Sequence, residues 1–136
     1  MGDGTKENPF TSADIYMRIA ENGNITEGLD LSGKYFEDGI DLTEIDLTGA
    51  ILNGARLVKA VLKKAGLDKC HLKEALLTSA HLEGAFLKDA RLEGVNLMCA
   101  NLQSVDLGNA NLKGAILRGT HLERAKLGNA NLEGAD

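Results

Sequence analysis

The chain has 136 residues, a formal net charge of −5, 43% hydrophobic and 4% aromatic residues, two cysteines and no tryptophan. That length makes one domain the default. No stretch is apolar enough to be a signal peptide or a transmembrane span, and two cysteines do not make a disulfide framework, so membrane-spanning and disulfide-stapled classes are excluded.

Taken in chain order, residues 1–9 are polar, end at Pro9 and read as a disordered lead. The following "TSADIYMRIAENG" reads as a short helix. Thr11 or Ser12 can cap it, Asp14 lies near its positive end, Ile15 and Ile19 share a face, and Gly23 stops it. Residues 24–39 read as an imperfect coil: Leu29 and Leu31 point inward, Phe36 takes the same position, and one residue too many before Ile40 predicts a bulge or loop at Gly39.

From Leu42 to Leu132 leucine fills every fifth position, nineteen times without a miss. A helical step of five advances ~140° net, which scatters the leucines around the circumference. A straight strand has period two, which sends alternate leucines to opposite faces. All of them reach one side if the chain turns once per repeat. Two residues before each leucine sits a small or apolar residue, from Ile40 and Ile45 through Cys70 and Val95 to Ala130. That residue and its leucine share the inward face, and the residue between them points out. The remaining two residues make the corner, where Gly49, Gly54, Gly84, Gly94, Gly114, Gly119 and Gly134 occupy the second corner position and tolerate positive φ. Roughly right-angled corners close a square coil every four repeats, and coils stack ~4.8 Å apart as strands do in a sheet. The composition suits such a narrow core, because an alanine–leucine column needs no large aromatic side chains.

The stretch "ANLQSVDLGNANLKGAIL" resembles the pentapeptide-repeat family, whose pattern is Ala-(Asp/Asn)-Leu-x-x. The resemblance runs cleanly over residues 40–136 and more loosely back to Leu29. It implies an all-β solenoid, a right-handed quadrilateral β-helix, here of about five coils with a short N-terminal capping α-helix. The expected division is a lead and capping helix over residues 1–23 and the β-helix over residues 24–136.

Stacking at twenty residues gives four outward columns. They run Asp41, Val61, His81, Asn101, His121; then Asp46, Gly66, Phe86, Asp106, Lys126; then Ile51, His71, Arg91, Asn111, Asn131; then Arg56, Leu76, Asn96, Ile116, Asp136. His81 and His121 share a wall two coils apart, ~10 Å, too far for one zinc with ligands at ~2.1 Å. Convex walls offer no cleft to hold a substrate between carboxylates, and no nucleophile motif or phosphate-cradling loop is present. No catalytic, cofactor-binding or metal-binding residue is therefore expected, and the protein reads as a non-enzyme without a cofactor.

Lys59, Lys64 and Lys69 occupy successive corners and ring the shaft with Arg56, Lys63 and Lys73. No aromatic platform accompanies them, which weighs against nucleic acid. Outward Ile51, Val61, Leu76, Phe86 and Ile116 read as scattered over four walls. Cys70 lies in the inward small-residue column and reads as a buried thiol, whereas Cys99 faces out. Unpaired cysteines and the lack of a leader point to a reducing, cytoplasmic setting without a membrane.

Residues 1–46 carry eleven acids and three bases, net −8, and residues 47–136 carry nine acids and twelve bases, net +3. The functional expectation is a non-catalytic scaffold that displays its walls to a protein partner. The alternative implied by the resemblance is a DNA mimic that binds DNA gyrase or topoisomerase, and it ranks second because the coils are not acidic. The last coil shows no cap, which fits either an end-to-end homodimer through the C-terminal coil or a longer chain.

Overall fold

A computed structural model describes all 136 residues. It contains one helix, α1 (Ser12–Glu21), and otherwise a stack of coils joined by parallel bridges one residue wide. From Asp41↔Val61 to Asn111↔Asn131 every bridge joins residues twenty apart. Four five-residue repeats thus complete one turn of a quadrilateral β-helix. The first wall runs through Asp41, His81 and His121, the second through Asp46 and Phe86, the third through Ile51 and Arg91, and the fourth through Arg56, Leu76 and Ile116.

The backbone shows why five residues suffice. In the repeat around Leu82, the His81 N–H donates to Ala60 O of the preceding coil (2.9 Å), the Leu82 N–H to Asn101 O of the next coil (2.8 Å), and the Gly84 N–H to Gln103 O (2.9 Å). The Ala85 N–H closes the corner onto Leu82 O (2.9 Å). Four of five N–H groups are thereby paired within the backbone, as buried amides require. All nineteen second corner positions from Glu44 to Gly134 have positive φ, twelve of them on residues other than glycine. An i to i+3 hydrogen bond with positive φ at the third residue is the sign pattern of a type II turn.

The core is one cluster of 35 buried apolar residues. The central leucines of the repeats, from Leu42 to Leu112, are at most 3% exposed. Leu117, Leu122 and Leu127 are partly buried, and Leu132 is 42% exposed. Thr120, in the small-residue column, returns its hydroxyl to Leu117 O (2.8 Å).

The N-terminal segment differs from the disordered lead that its composition predicts. Gly2 and Gly4 are buried. Gly2 donates to the Asp14 carboxylate (3.0 Å), and Gly4 O accepts from Tyr35 N (2.9 Å). Polar composition overlooked two glycines whose missing Cβ permits this approach: a Cβ on Gly2 would lie 2.4 Å from Pro9 O. Thr11 is the N-cap of α1, paired with Asp14 in a capping box. Just before α1, Phe10 is fully buried with its ring 5.7 Å from that of Phe36, edge to face.

The extra residue of the first coil is Glu37, not Gly39. Gly39 takes the ordinary left-handed corner position (φ 74°). The wall is lengthened by Glu37, whose N–H donates to Phe10 O (3.0 Å). The bridges therefore run Asp30↔Ile51 and Tyr35↔Arg56, twenty-one apart, before settling at twenty.

Candidate interaction surface

The fifth N–H of each repeat, at the first corner position, has no backbone acceptor in the regular ladder. The outward Asp or Asn two residues earlier captures it: Thr43 N donates to Asp41 (3.0 Å), Thr48 N to Asp46 (2.9 Å), Gln103 N to Asn101 (3.1 Å) and Glu133 N to Asn131 (3.0 Å). Where the outward residue is His71 or Phe86, an acceptor on the preceding coil substitutes, with Asn53 taking Lys73 N (3.0 Å) and Asp68 taking Lys88 N (2.8 Å). These Asx turns make many outward Asp and Asn residues part of the frame. Periodicity alone does not mark them as structural; their recurrence two positions before a turn does.

The same hydrogen bonds hold several carboxyls below the ordinary aspartate range. Donation from the Ser32 and Thr43 side chains, then their amides, does so at Asp30 and Asp41, and the Thr48 amide leads at Asp46. The amide and hydroxyl of Thr11 do so at Asp14.

On the first wall, His81 Nδ1 lies 3.6 Å from Glu83 and His121 Nδ1 3.5 Å from Glu123. Glu83 also accepts from Asn101 Nδ2 (3.0 Å) and lies 3.8 Å from Lys63 Nζ. These are half-exposed surface pairs, worth little individually. No three His, Cys, Asp or Glu side chains converge in metal-ligating geometry. A depression of about 340 Å³ is lined by Gln103, Ser104, Glu123 and Arg124, without an apolar side chain, unlike the apolar pockets that hold small molecules. The Lys59, Lys64 and Lys69 corners all take positive φ and point around the shaft on different edges.

Cys70 is fully buried, its Sγ donates to Leu47 O (2.9 Å), and burial pushes its thiol up to about 12. Cys99 is exposed. No helix is long and apolar enough to cross a membrane.

The apolar outward residues are less scattered than their middle positions indicate. Corner residues also face outward, and adding them brings Val58 and Met98 beside Leu76 and Ile116 on the fourth wall. Phe86, 49% exposed, stands alone on the second wall above Gly66. Above the level of Tyr35 the fourth wall's formal charges cancel, Arg56 and Arg118 against Glu74 and Asp136: Arg118 pairs with Asp136 (2.7 Å) and Arg56 lies over the Tyr35 ring at 4.9 Å, while the exposed Glu37 and Asp38 make the lower end acidic.

Comparison with known proteins agrees with this architecture. The family description "Pentapeptide repeats (8 copies)" matches residues 40–78, 75–114 and 106–136. The crystal structure of the pentapeptide repeat protein Rfr23 from the cyanobacterium Cyanothece 51142 is 33% identical, covers 82% of this chain and 83% of that one, and superposes with a TM-score of 0.61. The pentapeptide repeat protein alr5209 from Nostoc PCC 7120 is also 33% identical, covering 82% and 84% with a TM-score of 0.65. A trypsin-treated variant of QnrB1, a plasmid-mediated fluoroquinolone resistance protein, shares 18% identity over 81% of this chain and 66% of its own, with a TM-score of 0.56. At that identity the likeness is one of fold. The curated proteins give no match.

Proposed function

The chain belongs to the pentapeptide-repeat family, and from that membership we propose that it is a non-catalytic, cytoplasmic scaffold that binds a protein partner through its outward walls. The observation that carries this reading is the division of labour in the repeat. Two of five positions fill a continuous 35-residue core, and the outward ones form flat, convex walls. Residues 1–23 act as a lid in this reading, because Phe10 and Ile15 are fully buried at the N-terminal end. Residues 24–136 form the right-handed β-helix of the family, about five coils at ~4.8 Å each. Two copies join end to end through the C-terminal coil, where Leu132 is 42% exposed; sedimentation at rising concentration should show doubling of mass, and a monomer throughout would remove this part.

The experiment for the main reading places a photo-crosslinking residue at one outward position per wall: Asn101, Phe86, Arg91 and Leu76. In native extract, one wall should give a saturable adduct with one protein. No such adduct from any wall would end the scaffold reading. The alternative, a DNA mimic of the gyrase or topoisomerase substrate, fits less well, because residues 47–136 carry net +3 and an acidic surface is what imitates a phosphate backbone. Relief of gyrase inhibition in a supercoiling assay would reverse that order.

A further inference from the structure

The fourth wall carries one apolar side chain at every level of the coil. Tyr35, Leu76 and Ile116 occupy the central column, which is bridged in the order Tyr35, Arg56, Leu76, Asn96, Ile116. At the two levels where that column is polar, the corner two residues further on supplies the apolar group: Val58 follows Arg56, and Met98, 37% exposed, follows Asn96. The result is a zigzag Tyr35–Val58–Leu76–Met98–Ile116 climbing the wall in four steps, ~19 Å at ~4.8 Å per coil, with columns ~6.6 Å apart. The opposite edge is bare, because Gly54, Gly94, Gly114 and Gly134 stand at its corners with only Glu74 between them.

The geometry points to this wall as a docking strip for an amphipathic α-helix of about 13 residues lying along the coil axis, since an α-helix rises ~1.5 Å per residue and repeats every ~5.4 Å. One apolar residue per helical turn then meets one apolar residue per coil. The inference rests on the scaffold reading and specifies its partner surface. Charge selects the same occupant. Above the level of Tyr35 the wall's formal charges cancel, Arg56 and Arg118 against Glu74 and Asp136, with Arg118 held by Asp136 at 2.7 Å, and the exposed acids Glu37 and Asp38 lie only at its lower end, so the helix is recognised by its uncharged stripe. Area argues against a second copy of the chain on this wall. A strip ~19 Å long and one helix wide, ~10–12 Å, falls far short of the ~800 Å² per partner of a stable protein–protein interface. A single helix docked on it is a weak, exchanging ligand.

The probe is a labelled 15-residue peptide of alanine and glutamine with one leucine per turn, bridged on its far face to stay helical. Its control has the same composition and bridge, with the leucines spread around the helix. Fluorescence anisotropy should show the striped peptide binding at least tenfold tighter than the control. Binding should change less than twofold between 50 and 500 mM salt, because the contact is not ionic. Leu76→Lys and Met98→Lys should each weaken binding about tenfold, whereas Phe86→Lys on the second wall should leave it unchanged; circular dichroism checks that each variant stays folded. Equal binding of the two peptides, no binding, indifference to Leu76→Lys, or equal sensitivity to Phe86→Lys would overturn the helix strip. A specific crosslink obtained from another wall would still leave the scaffold reading standing, so the two failures are separable.

Discussion

A single solenoid core makes the cost of removing a leucine depend on its height in the stack. Leu92 and Leu132 sit on the same wall, two coils apart. Leu92 is fully buried between Leu72 and Leu112, each 1% exposed. Its coil is held to the next by Leu92 N to Asn111 O (2.7 Å) and to the preceding one by Leu72 N to Arg91 O (2.7 Å). Such a ladder resists collapse around a missing side chain. Leu92→Ala should therefore cost about 3.5–5 kcal/mol, the upper half of the range for buried leucines that leave a cavity. Leu132 is 42% exposed with no coil above it. Leu132→Ala loses only part of a transfer term of about 1.5–3 kcal/mol and leaves no closed cavity, so about 1 kcal/mol is expected. Urea unfolding followed by far-ultraviolet circular dichroism, at low micromolar protein to keep the ends unpaired, compares the two. Equal losses, or a Leu92→Ala loss below about 1.5 kcal/mol, would refute the closed column.

The other expectations follow from the frame. Asp46→Asn keeps an acceptor for Thr48 N (2.9 Å) and should change stability at pH 7 by less than about 0.5 kcal/mol, whereas Asp46→Ala should lose about 0.5–1.5 kcal/mol; equal effects in urea titrations would remove the Asx argument. Asp30, Asp41 and Asp46 have carboxyls held below their ordinary value, so their contribution is complete above an unfolded pKa of about 3.9 and is lost as pH falls through the lower folded values. Stability should then stay level from pH 7 to about 5 and drop in acid, the reverse of what raised carboxyl pKa values would give. Gly114→Ala, at φ 68° with open space around the added Cβ, should cost about 1 kcal/mol through backbone strain alone, and Lys64→Gly, at φ 54°, should be neutral or stabilising; a neutral Gly114→Ala would show the corner is not left-handed in solution. An aromatic disulfide reagent should label one thiol quickly, at Cys99, and reach Cys70 only on unfolding, since Cys70 is fully buried with its thiol pushed up to about 12; two fast thiols would contradict the inward column.

The fold was legible because its signal is a period. Nineteen leucines at a spacing that suits neither helix nor straight strand leave few other ways to stay dry, and the small residue two positions earlier fixes which way they point. The helix was legible through its cap, although Thr11 and Ser12 were equally good candidates until the capping box with Asp14 decided between them. What escaped was set by three-dimensional neighbours. The fold-back of residues 1–9 depends on a 2.4 Å clearance between the position of a Gly2 Cβ and Pro9 O, which no local pattern encodes. The extra residue fell on Glu37 because the left-handed corner is the stronger constraint and kept Gly39 for itself (φ 74°). The surface was the least legible part, since outward residues were read column by column while the corner residues Val58 and Met98 belong to the same wall.

That last point bears on how such a rod carries information. Of the five positions, two are committed to the core and one to a left-handed corner where non-glycine residues are strained. A middle residue that is Asp or Asn serves the first corner N–H, as Asn101 does for Gln103. The middle positions that are free to recognise a partner are therefore those that have given up this duty, such as His71 and Phe86, whose corner amides are served from the preceding coil by Asn53 and Asp68. A middle residue that is neither Asp nor Asn forgoes a hydrogen bond worth about 1 kcal/mol unless a neighbour substitutes. On the fourth wall Arg56, Leu76 and Ile116 all make that exchange, and no side chain captures the Val58, Thr78 or Arg118 amide in their place. Only Asn96 keeps it, for Met98 N at 3.0 Å. The wall with the most continuous apolar strip is thus also one where stabilising side-chain bonds have been given up, which leaves its middle positions free to meet a partner.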